Sequence, residues 1–585
     1  MGLMNSSLQI GRSAILSYQS ALQTIGNNIS SAGSPDYTRL TPQLDPLQGE
    51  LIGRDLQPGA GVALTDIHRV IDEALEGRVR LAIGQQEGAA ARQSALAQVE
   101  SFYDDLSGAG LGSRLSEFWL LFDELQNTPE DPAIRDLVIG GGRQLAESFN
   151  TLRGQLGALG EDLDGQIEQL VNNADDLARQ IAELNGEIST AEAGRRSQAT
   201  SLRDQRDALI RKLSELMDVT VKEQPNGAVN VYVGSEALVQ GADSRGLLAV
   251  HSIEGEFGRT SVRFEDTKQQ VMLGGGKIAG LMQARDEDAY ARIAGIDELA
   301  AAVIADLNHV HADGQGLSPF TEVTGEFDVL NAAAALDSAA AGLQTTVTSG
   351  GFYVTVLDTA TQTPVAYRIE VTLDGTPPST ATDPSTGSTT LDSLVSAFNE
   401  QVEGVTASVT SDNRIAFAAD TGYSFVFGFD GQAPRADSSG ILAALGVNVF
   451  FSGTNAANIG VAETIANDPS LIAAASVLLP GDGVNAGRMA SLATERSKTL
   501  EQGSLTELFQ AASNATAVSA AGANADADAS SSILSALQAQ KESISGVNLD
   551  EEAVAMLKFQ RAFQGSARFL TVVDELLGEL VSLIR

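Results

Sequence analysis

The chain has 585 residues and sets 76 acidic against 37 basic side chains, a formal charge of −39 that excludes nucleic acid and disfavours anionic membrane surfaces. It has no cysteine, which removes disulfides, zinc–thiolate sites, iron–sulfur clusters and thiol nucleophiles. A composition of 43% hydrophobic and 19% charged residues suits a folded chain of about four domains rather than a disordered one. The first twenty or so residues lack the basic segment and apolar run of a secretory signal, and no window is apolar enough for a membrane span, so neither is expected.

Both ends predict helix. Leu8, Gly11, Ile15, Tyr18, Leu22, Ile25 and Ile29 recur at alternating three- and four-residue steps, a heptad-like seam. From about residue 66 to 218 the pattern predicts helices over 72–103, 112–127, 131–157, 162–185 and 197–217. The third opens on Asp131-Pro132, a helix-start signal. In the fourth, Leu163, Ile167, Leu170, Ala174, Leu177, Ile181, Leu184 and Ile188 hold a 3.5-residue period, the mark of long packed helices. Gly140-Gly141-Gly142 reads as a kink or break.

The period changes to two at Val219. Residues 219–222 and 229–233 flank Pro225-Asn226-Gly227, a hairpin signal, and 247–250 and 261–264 add strands, giving a small β subdomain over 219–272. Leu273-Gly274-Gly275-Gly276-Lys277 lacks the spacing of a phosphate loop and reads as a flexible joint into helix, which continues over 286–311. Strands at 352–357, 367–373, 405–409, 414–418 and 423–429 and a helix at 391–402 predict an inserted α+β domain. The alanine-rich stretch 511–532 predicts a closely packed helix. Met556, Phe559, Phe563, Ser566, Leu570, Val573, Leu577, Leu580 and Ile584 form a second seam.

The expected fold is therefore mainly α with inserted β-rich modules. Residues 1–35 with 547–585 pair as a coiled-coil-like stem, and 36–218 with 273–340 and 452–546 form a long-helix bundle domain. A small β subdomain (219–272) and an α+β insertion (341–451) complete it.

Candidate chemistry is sparse. His309-Val310-His311 with Asp313 lies at a helix end, where residues two apart do not share a face, and reads as a terminus capped by Gly314. Asn524-Ala525-Asp526-Ala527-Asp528 has alternating oxygens but lacks the glycine and closing glutamate of a calcium loop. No nucleophile–base set or paired-carboxylate site emerges, so no enzyme, metal or cofactor is expected.

Two terminal segments carry a resemblance. Asn27-Asn28-Ile29-Ser30-Ser31 followed by Tyr37-Thr38-Arg39, and Ser545-Gly546-Val547-Asn548-Leu549-Asp550-Glu551-Glu552 with Phe559–Phe563, are similar to the signatures of the bacterial flagellar rod, hook and hook-associated proteins. The sequence departs from that pattern at Ser31, where the family has Asn, and at Asp36, where it has Gly. Four internal stretches resemble the hook–filament junction members: 118–150, Asp204-Gln205-Arg206-Asp207 with Leu209, 275–285, and Leu299 through Asn308-His309 to Gly314. The resemblance implies a structural subunit that is exported unfolded by a type III apparatus and sits in the extracellular flagellum. It implies as partners the hook protein, a second hook–filament junction protein, copies of itself in a ring, and a cytosolic export chaperone. The interface residues would be Leu8, Ile15, Leu22, Ile29, Phe559, Phe563, Leu570, Val573, Leu577 and Leu580. The alternative reading is a flagellum-associated secreted adhesin or enzyme that uses residues 342–451.

Overall fold

The computed structural model describes residues 2–34, 37–48, 59–103, 108, 110–193, 199–361, 363–380, 382–383 and 387–583. Asp36 and Ile584 lie outside the described residues, as does the side chain of Leu580. In chain order the elements are α1 (Gly2–Ser30), β1 (Leu40–Gln48), β2 (Gly59–Arg69), α2 (Glu73–Tyr103), α3 (Leu111–Asn127), α4 (Pro132–Glu192) and α5 (Thr200–Leu216). Strands β3 (Val219–Glu223), β4 (Val229–Val233), β5 (Glu236–Gln240), β6 (Asp243–Ser244), β7 (Leu247–Glu254) and β8 (Phe257–Phe264) follow. Then come α6 (Lys277–Gln283), a π-helical segment Ala284–Tyr290, α7 (Ala291–Ala312), β9 (Glu322–Thr324), β10 (Gly350–Asp358), β11 (Pro364–Val371) and α8 (Leu391–Gln401). The chain closes with β12 (Val405–Val409), β13 (Ile415–Ala419), β14 (Tyr423–Phe427), α9 (Ile441–Ala444), β15 (Phe451–Ser452), β16 (Gly460–Val461), α10 (Glu463–Asn467), α11 (Val484–Ser491), α12 (Leu505–Ser545) and α13 (Leu549–Leu583). The fold is mainly α with inserted β modules.

Two compact units emerge. The first comprises Met1–Leu96, Glu161–Arg285 and Ala521–Arg585. Within it α1 packs along α13 and against the hairpin β1–β2. The buried stripe of α1 is Gly11, Ala14, Ser17, Ala21, Thr24, Ile25 and Asn28, whereas Leu8, Ile15, Leu22 and Ile29 are half-buried. The stripe is displaced because the hairpin takes one side of the helix and brings its backbone close. Ser17 Oγ donates to the Val62 carbonyl (3.0 Å) and accepts from the Leu64 N–H (3.1 Å), an approach that only small side chains permit.

The hairpin itself corrects the reading of helix from residue 66 onward, since Asp66 lies in β2. Pro42 and Pro46 fall in β1, and proline in a run argues against a strand unless the strand is an edge. Here the sheet has two strands, so both are edges.

Helix α2 buries Leu75, Val79, Ala82 and Ile83 against Leu537 of α12. Strands β3–β6 form one antiparallel sheet whose β3–β4 turn runs through Gly227 at φ 82, where a left-handed backbone calls for glycine. Asn185 of α4 ties this sheet down: its amide donates to the carbonyls of Val229 and Gly241 (both 2.8 Å) and accepts from the Val229 N–H (3.0 Å). The segment expected to be a flexible joint is tightly packed. Gly276 (φ 88) donates its N–H to the Gly84 carbonyl (3.0 Å), and a Cβ on Gly280 would collide with the Gly88 carbonyl.

The second unit comprises Ala97–Gly160 and Asp286–Ala520. Phe118, Trp119 and Phe122 of α3 are fully enclosed, with the Phe118 ring 5.6 Å from Phe450 and 5.5 Å from Phe451. Helix α4 is one helix of 61 residues where the sequence predicted two with a glycine kink. Its glycines admit neighbours rather than break the helix. A Cβ on Gly141 would strike Leu121, one on Gly142 would lie 2.7 Å from Phe450, and one on Gly160 would strike Tyr290.

The β module of this unit has Phe352, Val354, Ile369, Phe398, Phe417, Phe425 and Phe427 in its core. That core also takes in Val323, Val329 and Leu336, and β9 pairs with β13, so its strands engage residues before position 341. All five strands expected between 352 and 429 are present, each displaced by a few residues at most.

Candidate assembly site at the joined chain ends

The residues of the two terminal signatures meet in the first unit. Asn28, on the last turn of α1, is fully buried. Its amide nitrogen donates to the Leu40 carbonyl (2.8 Å) and to Glu552 Oε2 (2.9 Å), and its oxygen accepts from the Leu40 N–H (3.0 Å) and the Tyr37 hydroxyl (2.8 Å). One side chain thus pairs with both backbone groups of the residue that opens β1 and holds α13 as well.

Glu552 is also buried, and its other oxygen accepts from Arg39 Nε (2.8 Å), while Arg39 Nη1 reaches Glu551 (2.9 Å). The Arg39 N–H donates to the Ser545 carbonyl (3.2 Å). Asn548 caps α13 through Oδ1, which accepts from the N–H of Asp550 (3.0 Å). Gly546 is small of necessity, because a Cβ there would strike the Glu542 carbonyl.

Of the signature residues, Asn28, Tyr37, Arg39, Ser545, Gly546 and Asn548 therefore build this junction. Asn27 and Leu549 are exposed and Val547 is half-buried. Glu552 closes the second signature segment but has no place among the expected interface residues. The signal was there, since a carboxylate one turn into an amphipathic helix falls on the same face as Met556, Phe559 and Phe563.

The base of the hairpin is held a second time. Arg69, opposite Leu40 in the β1–β2 ladder, is clamped between two carboxylates of α5: its Nε lies 2.9 Å from Asp204, and Nη2 contacts Asp207. The Thr38 hydroxyl also donates to Asp204. With two carboxylates sharing one enclosed guanidinium, burial and the neighbouring Asp207 push the Asp204 carboxyl up to about 6 despite Arg69. Burial, with Asp204 and Glu552 nearby, pushes the Tyr37 phenol up to about 12, so it stays a hydrogen-bond donor. The third member of the Asp204-Gln205-Arg206-Asp207 motif, Arg206, is buried and donates to Asn185 (3.2 Å) and the Gly227 carbonyl (2.7 Å).

Along the helix pair the aromatic rings of Tyr18 and Phe559 lie 6.2 Å apart, and Leu570 sits in the space left by Gly11. Val573 is buried, and Phe563 and Leu577 are half-buried on the same face. The opposite side of α13 is bare: Val554, Leu557, Phe569, Val572 and Leu576 are between 42% and 68% exposed.

A cavity of about 600 Å³ opens beside the junction, lined by Tyr37, Ser545 and three cations, Arg211, Lys212 and Lys541. Glu87, Glu215 and Glu542 line it too, so its charges balance and no ionic ligand is singled out. The histidine cluster does not converge on anything. His311 is enclosed, its Nε2 accepting from the Ala473 N–H (3.0 Å) and its Nδ1 therefore donating to the Asn448 carbonyl (2.8 Å). Burial holds that ring neutral, with its pKa lowered to about 4. Asp313 is engaged with the Asp437 N–H (2.8 Å) and with Arg488 (3.4 Å). Gly314 is needed for close approach to Asn485 rather than as a left-handed cap. Among the described residues no group of three or more His, Cys, Asp or Glu is arranged to hold a metal, and no helix is long and apolar enough to cross a membrane.

Residues 96–326 match the model of the flagellar hook-associated protein FlgK helical domain, and 538–583 match the flagellar basal body rod FlgEFG protein C-terminal model. Flagellar hook-associated protein 1 of Escherichia coli K12 is 26% identical over 612 aligned positions, covering 99% of this chain and all of that protein. The Salmonella typhimurium protein of the same name is 27% identical with the same coverage. The chain is similar over its whole length to flagellar hook-associated protein 1. A Bacillus subtilis relative of that name is 29% identical over 238 positions, 40% of this chain and 46% of that protein. The solved structure of the flagellar hook junction protein FlgK from Burkholderia pseudomallei shares the fold, with a TM-score of 0.50, 18% identity, and coverage of 80% of this chain and all of that one. The chain is accordingly a structural, non-enzymatic hook-associated component of the bacterial flagellum, associating with other hook and filament components.

Proposed function

We propose that this chain joins the hook to the filament. It is exported unfolded by the flagellar type III apparatus and assembles at the hook tip as a ring of copies in the extracellular flagellum. The hook protein lies on one side and a second hook–filament junction protein on the other. The observation that supports this reading is the pairing of α1 with α13 through signature residues 524 positions apart in sequence, with a bare apolar face left on α13.

An apolar face of that size is an aggregation hazard for a free chain. It suits two successive occupants, an export chaperone in the cytosol and then neighbouring subunits, each burying side chains worth roughly 1.5–3 kcal/mol apiece when fully covered. The paired ends (1–35 with 547–585) would form the axial core, with 36–218, 273–340 and 452–546 as a helical domain carrying the β modules 219–272 and 341–451. A strain lacking this protein tests the reading: hooks should remain, filaments should be absent, and flagellin should appear in the medium. Normal filaments in that strain would overturn it.

A further inference from the structure

The seam between α1 and α13 is nearly its own translation by seven residues. On α1 the half-buried positions Leu8, Ile15, Leu22 and Ile29 are one heptad apart, and on α13 Met556, Phe563, Leu570 and Leu577 are as well. In the observed antiparallel register Gly11 receives Leu570 and Tyr18 meets Phe559. Sliding α13 by one heptad would bring Leu577 to Gly11 and leave Tyr18 facing Ser566, with Leu570 close by. At Gly11 one leucine replaces another, and Tyr18 exchanges Phe559 for Leu570, so the apolar seam alone separates these arrangements less sharply than a buried polar contact would.

The buried polar pair does separate them. Asn28 and Glu552 are each at most 2% exposed and hydrogen-bonded to one another at 2.9 Å. After the slide Asn28 would face Phe559, and Glu552 would lose both Asn28 and Arg39. An amide and a carboxylate left without partners away from water are each strongly disfavoured.

We propose that Asn28 and Glu552 are the register-determining residues of the terminal helix pair. Glu552 selects one of several heptad-related alignments rather than simply adding attraction. Buried polar residues in helical seams fix alignment in this way because their apolar neighbours cannot. Arg39 and Tyr37 complete the key by holding the two partners in place. The proposal rests on the α1–α13 pairing and not on the hook-to-filament reading, so either can fail alone.

The chain's lack of cysteine makes the test direct. Spin labels on cysteines placed at the exposed positions Gln9 and Gln560 of the full-length protein report the axial offset of the two helices. One heptad of α-helix corresponds to about 10 Å. The parent chain should give one narrow distance, and E552Q, which keeps the size of the side chain and one of its two accepting oxygens, should keep that distance as the main one. E552L should add a second population displaced by up to about 10 Å. E552L/F559E moves the carboxylate by one heptad and should make the displaced distance the main one.

A broad or double distance in the parent chain would show that the pair selects no register. An unchanged single distance in both E552L and E552L/F559E would show that the chain connections set it. Should E552L lose its helical content, the relocated variant decides: a parent-like distance in E552L/F559E overturns the proposal.

Discussion

Asp204 and His311 each sit in one unit and answer a change of pH in opposite senses. The folded Asp204 carboxyl titrates near 6 against an ordinary 3.8, so protons bind the folded state more tightly. Its contribution to stability is complete below pH 3.8 and is lost as pH rises through about 6, a change of about 3 kcal/mol. Denaturant titrations of D204N should lack this slope between pH 4 and 7 and show the variant no less stable than the parent at pH 7. A parent-like slope in D204N would assign the effect to other groups, such as Glu73 or Glu215, which burial also raises. For His311 the sign reverses. Its folded value is depressed from 6.5 to about 4, so the stability it supplies is present above 6.5 and is lost as pH falls toward 4, again by about 3 kcal/mol. H311Q should flatten the acid limb of unfolding followed in the second unit, for instance by Trp119 fluorescence. An acid limb as steep as the parent's would show that the enclosed ring is not its source.

At the scale of elements, α13 has two apolar faces with separate jobs. V572D/L576D alters only the bare side, so monomer stability should change by less than about 0.5 kcal/mol while filament attachment is lost. F563D introduces a carboxylate on the side turned to α1 and should reduce the helical signal of the isolated protein. If V572D/L576D supports normal filaments, the bare face is not the assembly face. The two faces were only half legible in the sequence. The stripe through Phe559 and Leu570 was plain from its period, but the second one, through Val554, Leu557, Phe569, Val572 and Leu576, is interrupted by Arg561 and Gly565 and breaks the count. Likewise the hairpin was hidden by Pro42 and Pro46, and the unity of α4 by Gly141, Gly142 and Gly160. Proline and glycine were read as punctuation, whereas here they mark an edge and close packing. The junction was legible as a motif but not as a mechanism. Asn28 and Arg39 could be named from the sequence; that both converge on Glu552 required the fold to bring together residues more than 500 positions apart.

For the whole molecule the β module of the second unit is the test of modularity. Its core is shared with Val323, Val329 and Leu336, and β9 depends on β13 for its pairing. Excising residues 342–451 with a short Gly/Ser bridge should therefore uncover these side chains and lower the yield of folded protein, with a thermal transition well below the parent's. An unchanged transition would mean that residues 312–340 hold their structure without the rest of the module. The −39 charge enters at this scale too. Copies of so acidic a chain repel one another, so on the proposed reading their assembly would rely on short-range apolar faces and should strengthen with added salt over the range where the Debye length falls from about 30 Å to 8 Å.

The crossing of α2 and α6 carries a consequence for anyone mapping which substitutions the chain tolerates. Gly84 and Gly88 face Gly276 and Gly280 backbone to backbone, with no side chain at the point of nearest approach. A Cβ on Gly88 or Gly280 would collide with the facing carbonyl and one on Gly276 with the Leu216–Met217 backbone, so alanine and tryptophan should be refused alike at these three, while an enclosed aliphatic position such as Leu213 accepts methionine or isoleucine. In a saturation scan Gly88, Gly276 and Gly280 would stand out as sharply as a catalytic centre, in a protein that performs no catalysis. Intolerance of every residue type, regardless of chemistry, is there the signature of two backbones in contact.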